Sequence, residues 1–371
     1  MIPLCLLLIV SITGYSKEKP NKEYYQINVD NPEYKPNVSF HFLEDLTSPR
    51  FSYLIEKYQL DTIFHGETDE FERILLLRHW IKSVIKIDNE QKDSTGRYNP
   101  EYIIDMAMSG TGFHCAHFRI VQNAIMNAFG YVTRTMGAGP GIQGGPDGHH
   151  GINEIWLNKY HKWFLSDAKY DWHFEKNGIP LCALEIRDEY LKNEAADILK
   201  VKGPERILID VDPSTGSFAC TAQSAQTYTW IEWDAWNDMQ TYWPDHKYLL
   251  YVYEDDYAKN HTWIWGGKPH WAYNTEFMKM IPDRDVIEWT PNTIASTVTI
   301  EGNKATIELK SDTPNFEEYQ MKDLVSGNAW QKVDDKFEFE LTGERHQLVF
   351  RTVNIAGVSG PEHTVIIQGQ P

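Results

Sequence analysis

The sequence is short of positive charge. Its 371 residues carry 35 Lys and Arg against 53 Asp and Glu, a formal net charge of −18. A surface this acidic repels phosphate, which excludes nucleic acid as an expected partner and argues against charge-driven membrane binding. Long hydrophobic runs are missing as well. None reaches the roughly 18 apolar residues that a transmembrane helix requires, so no transmembrane span is expected. Internal repeats and low-complexity tracts are also absent. What remains is 42% hydrophobic and 13% aromatic, ample for a packed core and for more than one domain.

Cysteine is scarce: Cys5, Cys115, Cys182 and Cys220. The first lies in "MIPLCLLLIVSITGYSKEKP", an apolar run too short to span a bilayer and followed by polar, lysine-containing sequence. That is the shape of a secretory signal peptide over residues 1–16, so an exported protein is expected, at the periplasm, cell surface or outside. No Lys or Arg precedes the run. Tyr15 stands where a bacterial lipoprotein would carry its acylated Cys, which leaves anchoring and cell-surface association open. Removal of Cys5 leaves three cysteines, an odd number for an exported chain. A Cys182–Cys220 pair would leave Cys115 free, though spacing alone does not fix a pairing.

Residues 17–66 read as an N-terminal extension packed on a core domain over 67–285. "TDEFERILLLRHWIKSVIKID" predicts a helix capped by Thr68, with Phe71, Ile74, Leu75, Ile81 and Ile85 on one stripe. Asn99 and Pro100 mark the start of a second helix. A third runs from Cys115 to about Phe129 and stops at Gly130. "GAGPGIQGGPDG", Gly137 to Gly148, reads as a loop, either a lid or plain surface. "INEIWL" and "KWFLSDAKY" read as a hairpin. Residues 182–285 hold seven of the 13 tryptophans, either core and groove wall or a sugar-stacking platform. From 290 to 371, short alternating strands such as "STVTIEG" and "HQLVFRTVNIAG" predict a small β-sandwich. The fold class expected is therefore α+β followed by an all-β module.

The stretch "GTGFHCAHF" poses the functional question. Cys115 opens a helix, where unpaired backbone N–H groups and the helix dipole lower a thiol pKa and can hold an oxyanion. His149 or His150 opens the hairpin and can serve as base. Asp167 near its far end can orient the imidazole. A buried structural thiol is the plain alternative, since cysteine is often core. A zinc site drawn from His114, Cys115, His117, His149 and His150 is another, although His-Cys-x-His is no established ligand spacing.

In the order Cys, His, Asp, on a helix and then a hairpin, the chain resembles the transglutaminase-like superfamily over roughly residues 68–175. Gly112 lies shortly before Cys115, Gly130 ends the helix, and Arg134 follows four residues on. "HGINEI" sets His150 four residues before Glu154, and Trp163 stands four before Asp167, as in that family. This register selects His150 over His149 and Asp167 over Asp171. Gly151, Ile152 and "DAK" depart from the family pattern and bear on substrate preference. "FRTVNIAGVSGP" resembles the last strands of fibronectin type III and related immunoglobulin-like domains. The resemblance implies a papain-like α+β core with a catalytic Cys115–His150–Asp167 triad. It implies no metal and no cofactor. The substrate it implies is a peptide, protein or glycopeptide amide. The family also contains members without activity, and a glycan- or protein-binding module is the alternative.

Overall fold

A computed structural model describes residues 22–42, 44–90, 99–139, 150–210, 220–237, 249–260, 278–327 and 329–370. The expected signal segment and His149 lie outside the described residues. So do Pro140–Gly148 of the glycine-rich stretch, "DPSTG" at 212–216, and Trp243, Trp263, Trp265 and Trp271.

The fold is mixed α and β. Four helices lead the chain: α1 (Pro49–Tyr58), α2 (Glu70–Val84), α3 (Pro100–Met108) and α4 (Cys115–Ala128). The cap of α2 is Asp69, one residue beyond the expected Thr68. Its carboxylate accepts the N–H groups of Phe71 at 3.0 Å and Glu72 at 3.2 Å. A carboxylate also suits the positive end of the helix better than a hydroxyl does. Asn99 caps α3 as expected, accepting from Tyr102 N–H at 3.0 Å.

Helix α4 is buried on almost every side, 11 of its 14 residues. It packs on α1, α2 and α3 on one side and on a six-stranded sheet on the other. The sheet runs Met278–Ile281, Leu250–Tyr253, Trp230–Asp234, Thr133–Gly139, His150–Leu157, Lys162–Ser166. All neighbours are antiparallel except the first two strands. Apolar side chains cover both faces. Ile155, Leu157 and Phe164 join the helical core, while Ile152, Trp156, Trp163 and Leu165 join a second core that includes Leu184 and Ile186 of the helix Ala183–Asn193. A sheet covered twice needs no polar face, so all eight residues of His150–Leu157 are buried.

Gly137–Gly139, expected in a loop, are instead buried strand residues paired with Trp230–Glu232. Gly137 also pairs across to Gly151. A Cβ on Gly151 would sit 3.1 Å from Arg119 Cδ and 3.6 Å from Ala116 Cα. Small residues therefore let the strands approach the start of α4, and loop-like composition there marks close packing.

The C-terminal module is a sandwich of two sheets around one core. One sheet holds Ala295–Glu301, Lys304–Lys310 and Lys336–Glu340. The other holds Phe316–Asp323, Gln331–Val333, Arg345–Asn354 and His363–Gly369. Its edge is completed by Tyr24–Ile27, which pairs antiparallel with His363–Gly369. The extension 17–66 thus divides. Residues 49–64 pack in the helical core, whereas Tyr24–Ile27 belongs to the distal sheet, whose edge would otherwise expose unpaired backbone. The first module also runs past residue 285, since Ile287 and Trp289 are fully buried in its core. No helix among the described residues is long and apolar enough to cross a membrane.

Candidate active site

Cys115, His150 and Asp167 meet where the first turn of α4 abuts the start of the His150–Leu157 strand. Cys115 is half-buried. Its helix begins with His114 as N-cap, whose Nδ1 accepts Ala116 N–H at 3.3 Å. His150 is buried, and its Nε2 lies 2.7 Å from Asp167 Oδ2. That bond leaves Nδ1 as the ring nitrogen that can face the thiol, and the thiol and the ring are hydrogen-bonded.

Asp167 is locked by its own turn. Its backbone N–H donates to Trp172 O at 3.1 Å, and Trp172 N–H returns to Asp167 O at 3.2 Å. Oδ1 accepts the N–H groups of Lys169 at 3.0 Å and Tyr170 at 3.2 Å. With Oδ1 occupied by backbone, Oδ2 is left for His150. The Tyr170 ring packs on the imidazole, centroids 5.3 Å apart. One residue earlier, Ser166 Oγ accepts from Gln122 of α4 at 2.6 Å, tying the strand end to the helix that begins at Cys115.

The electrostatics follow from these partners. Burial pushes the Cys115 thiol up, but hydrogen bonds from His114 and His150, with the charges of His150 and Lys169, outweigh it and hold the thiol well below its ordinary range. Burial pushes His150 down. The charge and hydrogen bond of Asp167, reinforced by Cys115, overcome it and raise the imidazole to about 9. A thiol moved down and an imidazole moved up both favour passage of the proton from sulfur to nitrogen, the direction of a thiolate–imidazolium pair.

The other thiols differ. Cys182 is fully buried, and desolvation together with Glu185, Glu154 and Glu288 drives it well above the usual thiol value. Cys182 and Cys220 are unpaired and cap the helices Ala183–Asn193 and Thr221–Gln226, so the conjectured disulfide is not formed.

The other sequence-derived residues take structural places. Arg134 and Glu154 form a buried pair, with Nη2 2.6 Å from Oε2. Trp233 Nε1 also donates to Oε2, and Ala183 N–H to Oε1. Asp171, the rejected alternative to Asp167, pairs with Arg78 at 2.9 Å and His79 at 2.6 Å. His117 packs at 4.2 Å from His114 and 4.7 Å from Phe113, centroid to centroid. Among the described residues no three His, Cys, Asp or Glu side chains converge as a metal site. Trp230 and Trp233 are fully buried and present no face to a sugar.

Sequence reasoning missed three contributors. His114 touches the thiol besides capping the helix, and its position just before a helix start was the available signal. Lys169 and Tyr170 reach the site from the Asp167 turn. The third is a buried network behind that turn. Arg78 of α2 donates to Asp171, to Trp172 O and to His173 Nδ1 at 3.1 Å. His173 Nε2 is 2.9 Å from Glu175 Oε1. These partners lie far apart in sequence, so nothing local announces them. No protein-family model matches the chain, and no curated protein matches it.

Proposed function

We propose that this chain is an exported, cysteine-dependent acyl-transfer enzyme of the transglutaminase-like kind, with a papain-like core and a fibronectin- or immunoglobulin-like C-terminal module. Its reaction is hydrolysis of a peptide or other amide bond in a peptide, protein or glycopeptide. The observation that carries this reading is the relay from the Cys115 thiol through His150 to Asp167 Oδ2 at 2.7 Å, at the start of a buried helix.

The Cys115 thiolate attacks the amide carbonyl carbon, and the carbonyl electrons move to oxygen. As the first residue of α4, Cys115 offers its backbone N–H to that oxyanion. As the oxyanion collapses the C–N bond breaks, and the imidazolium proton of His150 goes to the leaving amine. A thioester on Cys115 and a neutral His150 remain. Water then attacks the thioester while His150 takes its proton. The C–S bond breaks, the acid leaves, and the thiolate–imidazolium pair is restored. Asp167 keeps the ring oriented and stabilises the imidazolium throughout. In a water-rich setting outside the cell, water outcompetes an amine acceptor, which favours hydrolysis over cross-linking.

The test is the pH dependence of Cys115 alkylation by iodoacetamide in wild type and in His150→Ala. The expected wild-type midpoint lies well below about 8.5, the value of a free thiol, and His150→Ala moves it upward. Equal, slow alkylation in both proteins leaves a packed thiol in an inert scaffold and sinks the proposal.

A further inference from the structure

Two incomplete charge balances lie side by side in this site. With Cys115 as thiolate, His150 as imidazolium and Asp167 as carboxylate, the triad carries one net negative charge in a largely dry setting. Lys169 has the opposite defect. Its residue is 5% exposed, and its ammonium meets a neutral acceptor, Asn89 Oδ1, at 2.8 Å. Among the described residues no carboxylate lies within ion-pair distance of it, so none of its three N–H donors has an anionic partner. A buried charge left unpaired is costly, and each of these charges is the natural partner of the other.

The chain holds them together. Lys169 N–H donates to Asp167 Oδ1, two residues back. The ammonium lies 5.0 Å from the Tyr170 ring centroid, and that ring packs on His150. On the far side Asn89 follows Asp88, whose N–H bonds Phe113 O at 2.9 Å, and Lys86–Ile87 pair with Gly112–Phe113 just ahead of Cys115. Lys169 thus bridges the turn that carries the acid and the segment that leads into the nucleophile.

We propose that Lys169 is the charge-balancing ammonium of this site, holding negative charge at Cys115 as thiolate before attack. The inference rests on the acyl-transfer reading above. It gives a function to one departure from the family pattern, the Lys in "DAK". Because Lys169 acts here through Cys115, it is a positioning residue for charge. Among the described residues the other titratable groups around the thiol are His114 on its own helix, His150 on the facing strand, and Asp167 behind His150. Arg119, one turn along α4, is turned to Asp234 at 3.5 Å and to Met136 O at 3.3 Å.

The test uses the full chain and the iodoacetamide pH profile. Lys169→Met keeps the stem and removes the charge. Its profile is expected to move upward, with alkylation at neutral pH slowed about three- to tenfold. Lys169→Arg is expected to restore most of the rate, which a purely structural role would not predict. If Lys169→Met fails to fold, Asn89→Asp at an exposed position supplies a carboxylate beside the ammonium and is expected to move the profile the same way. A wild-type profile in Lys169→Met, or in Asn89→Asp where that variant must serve, with a displaced profile in His150→Ala overturns this inference alone. A profile that neither His150→Ala nor Lys169→Met moves overturns the triad reading and this inference with it.

Discussion

Two buried histidines stand on either side of one turn, each with a carboxylate at Nε2, and they end in opposite states. His150 faces Asp167 and is raised to about 9. His173 faces Glu175 at 2.9 Å and is lowered to about 4. Burial lowers both. One difference lies at the other ring nitrogen. His150 has a thiol there, which gains from a neighbouring proton. His173 has the Arg78 guanidinium at 3.1 Å, which donates to Nδ1 and repels a second positive charge. A carboxylate partner therefore does not by itself make a charged histidine: at His173, burial, Arg78 across the ring and Arg206, which also reaches Glu175 Oε1 at 3.4 Å, outweigh it. The same residue type is poised toward a thiol at one end of the turn and holds the scaffold at the other.

That contrast breaks most sharply at the thiol. Cys115→Ala is expected to lower amide hydrolysis by a factor on the order of 10⁴ or more while leaving the fold intact, measured as kcat/KM on a turned-over amide. Retained turnover would place the chemistry elsewhere. Asp167→Asn removes the charge that holds the His150 proton. Neutral-pH alkylation of Cys115 is then expected to slow about ten- to a hundredfold, with the profile displaced upward. An unchanged profile would mean that Asp167 is only a turn former.

The scaffold side answers in stability. Arg78→Met leaves the buried Asp171 with His79 in place of a guanidinium, frees Trp172 O and His173 Nδ1 of their donor, and is expected to cost about 3–5 kcal/mol in urea unfolding. A loss under about 1 kcal/mol would show that water replaces the guanidinium. The folded His173 resists protonation while the unfolded one does not. Stability therefore falls as pH drops from about 6.5 toward 4, by about 3 kcal/mol for this group. Glu175, held below its ordinary value chiefly by His173 against the effect of burial, adds to the loss in the same direction. The urea midpoint against pH tests this, and His173→Gln should flatten the acid limb. The smallest effect is at the α2 cap, where Asp69→Ala is expected to cost about 1 kcal/mol in the same measurement.

Where a rule acts over a few residues, the sequence was a good guide. Asn99 and Pro100 gave the start of α3, Cys115 to Gly130 gave α4, and the alternating runs after 290 gave six strands of the sandwich. That Cys115, His150 and Asp167 come together was expected from the family resemblance, whose register chose His150 and Asp167; a helix start and a hairpin alone left His149 and Asp171 open. What stayed hidden depends on partners distant along the chain. Gly137–Gly139 reads as loop until the start of α4 is seen against the adjoining strand. Arg78 reads as one more polar residue on α2 until Asp171 and His173, more than 90 positions on, arrive beneath it. Lys169 reads as turn composition until the charges around it are counted. Tyr24–Ile27 has no partner nearer than His363–Gly369.

That last pairing sets an order of assembly. Tyr24 lies opposite Gly369, and Gln370 N–H donates to Glu23 O at 2.7 Å. Tyr24–Ile27 must therefore wait for a partner strand far along the chain. The apolar cores around α4 and the six-stranded sheet draw on residues no later than Trp289 and can form in the interval, although Asn354 Nδ2 later donates to Gly130 O at 2.8 Å. The distal sheet cannot, and its edge stays open to pairing with a second chain until then. Closure of this long loop is expected to be the last and slowest step in folding, so the helix that begins at Cys115 can be in place before the distal sheet is sealed.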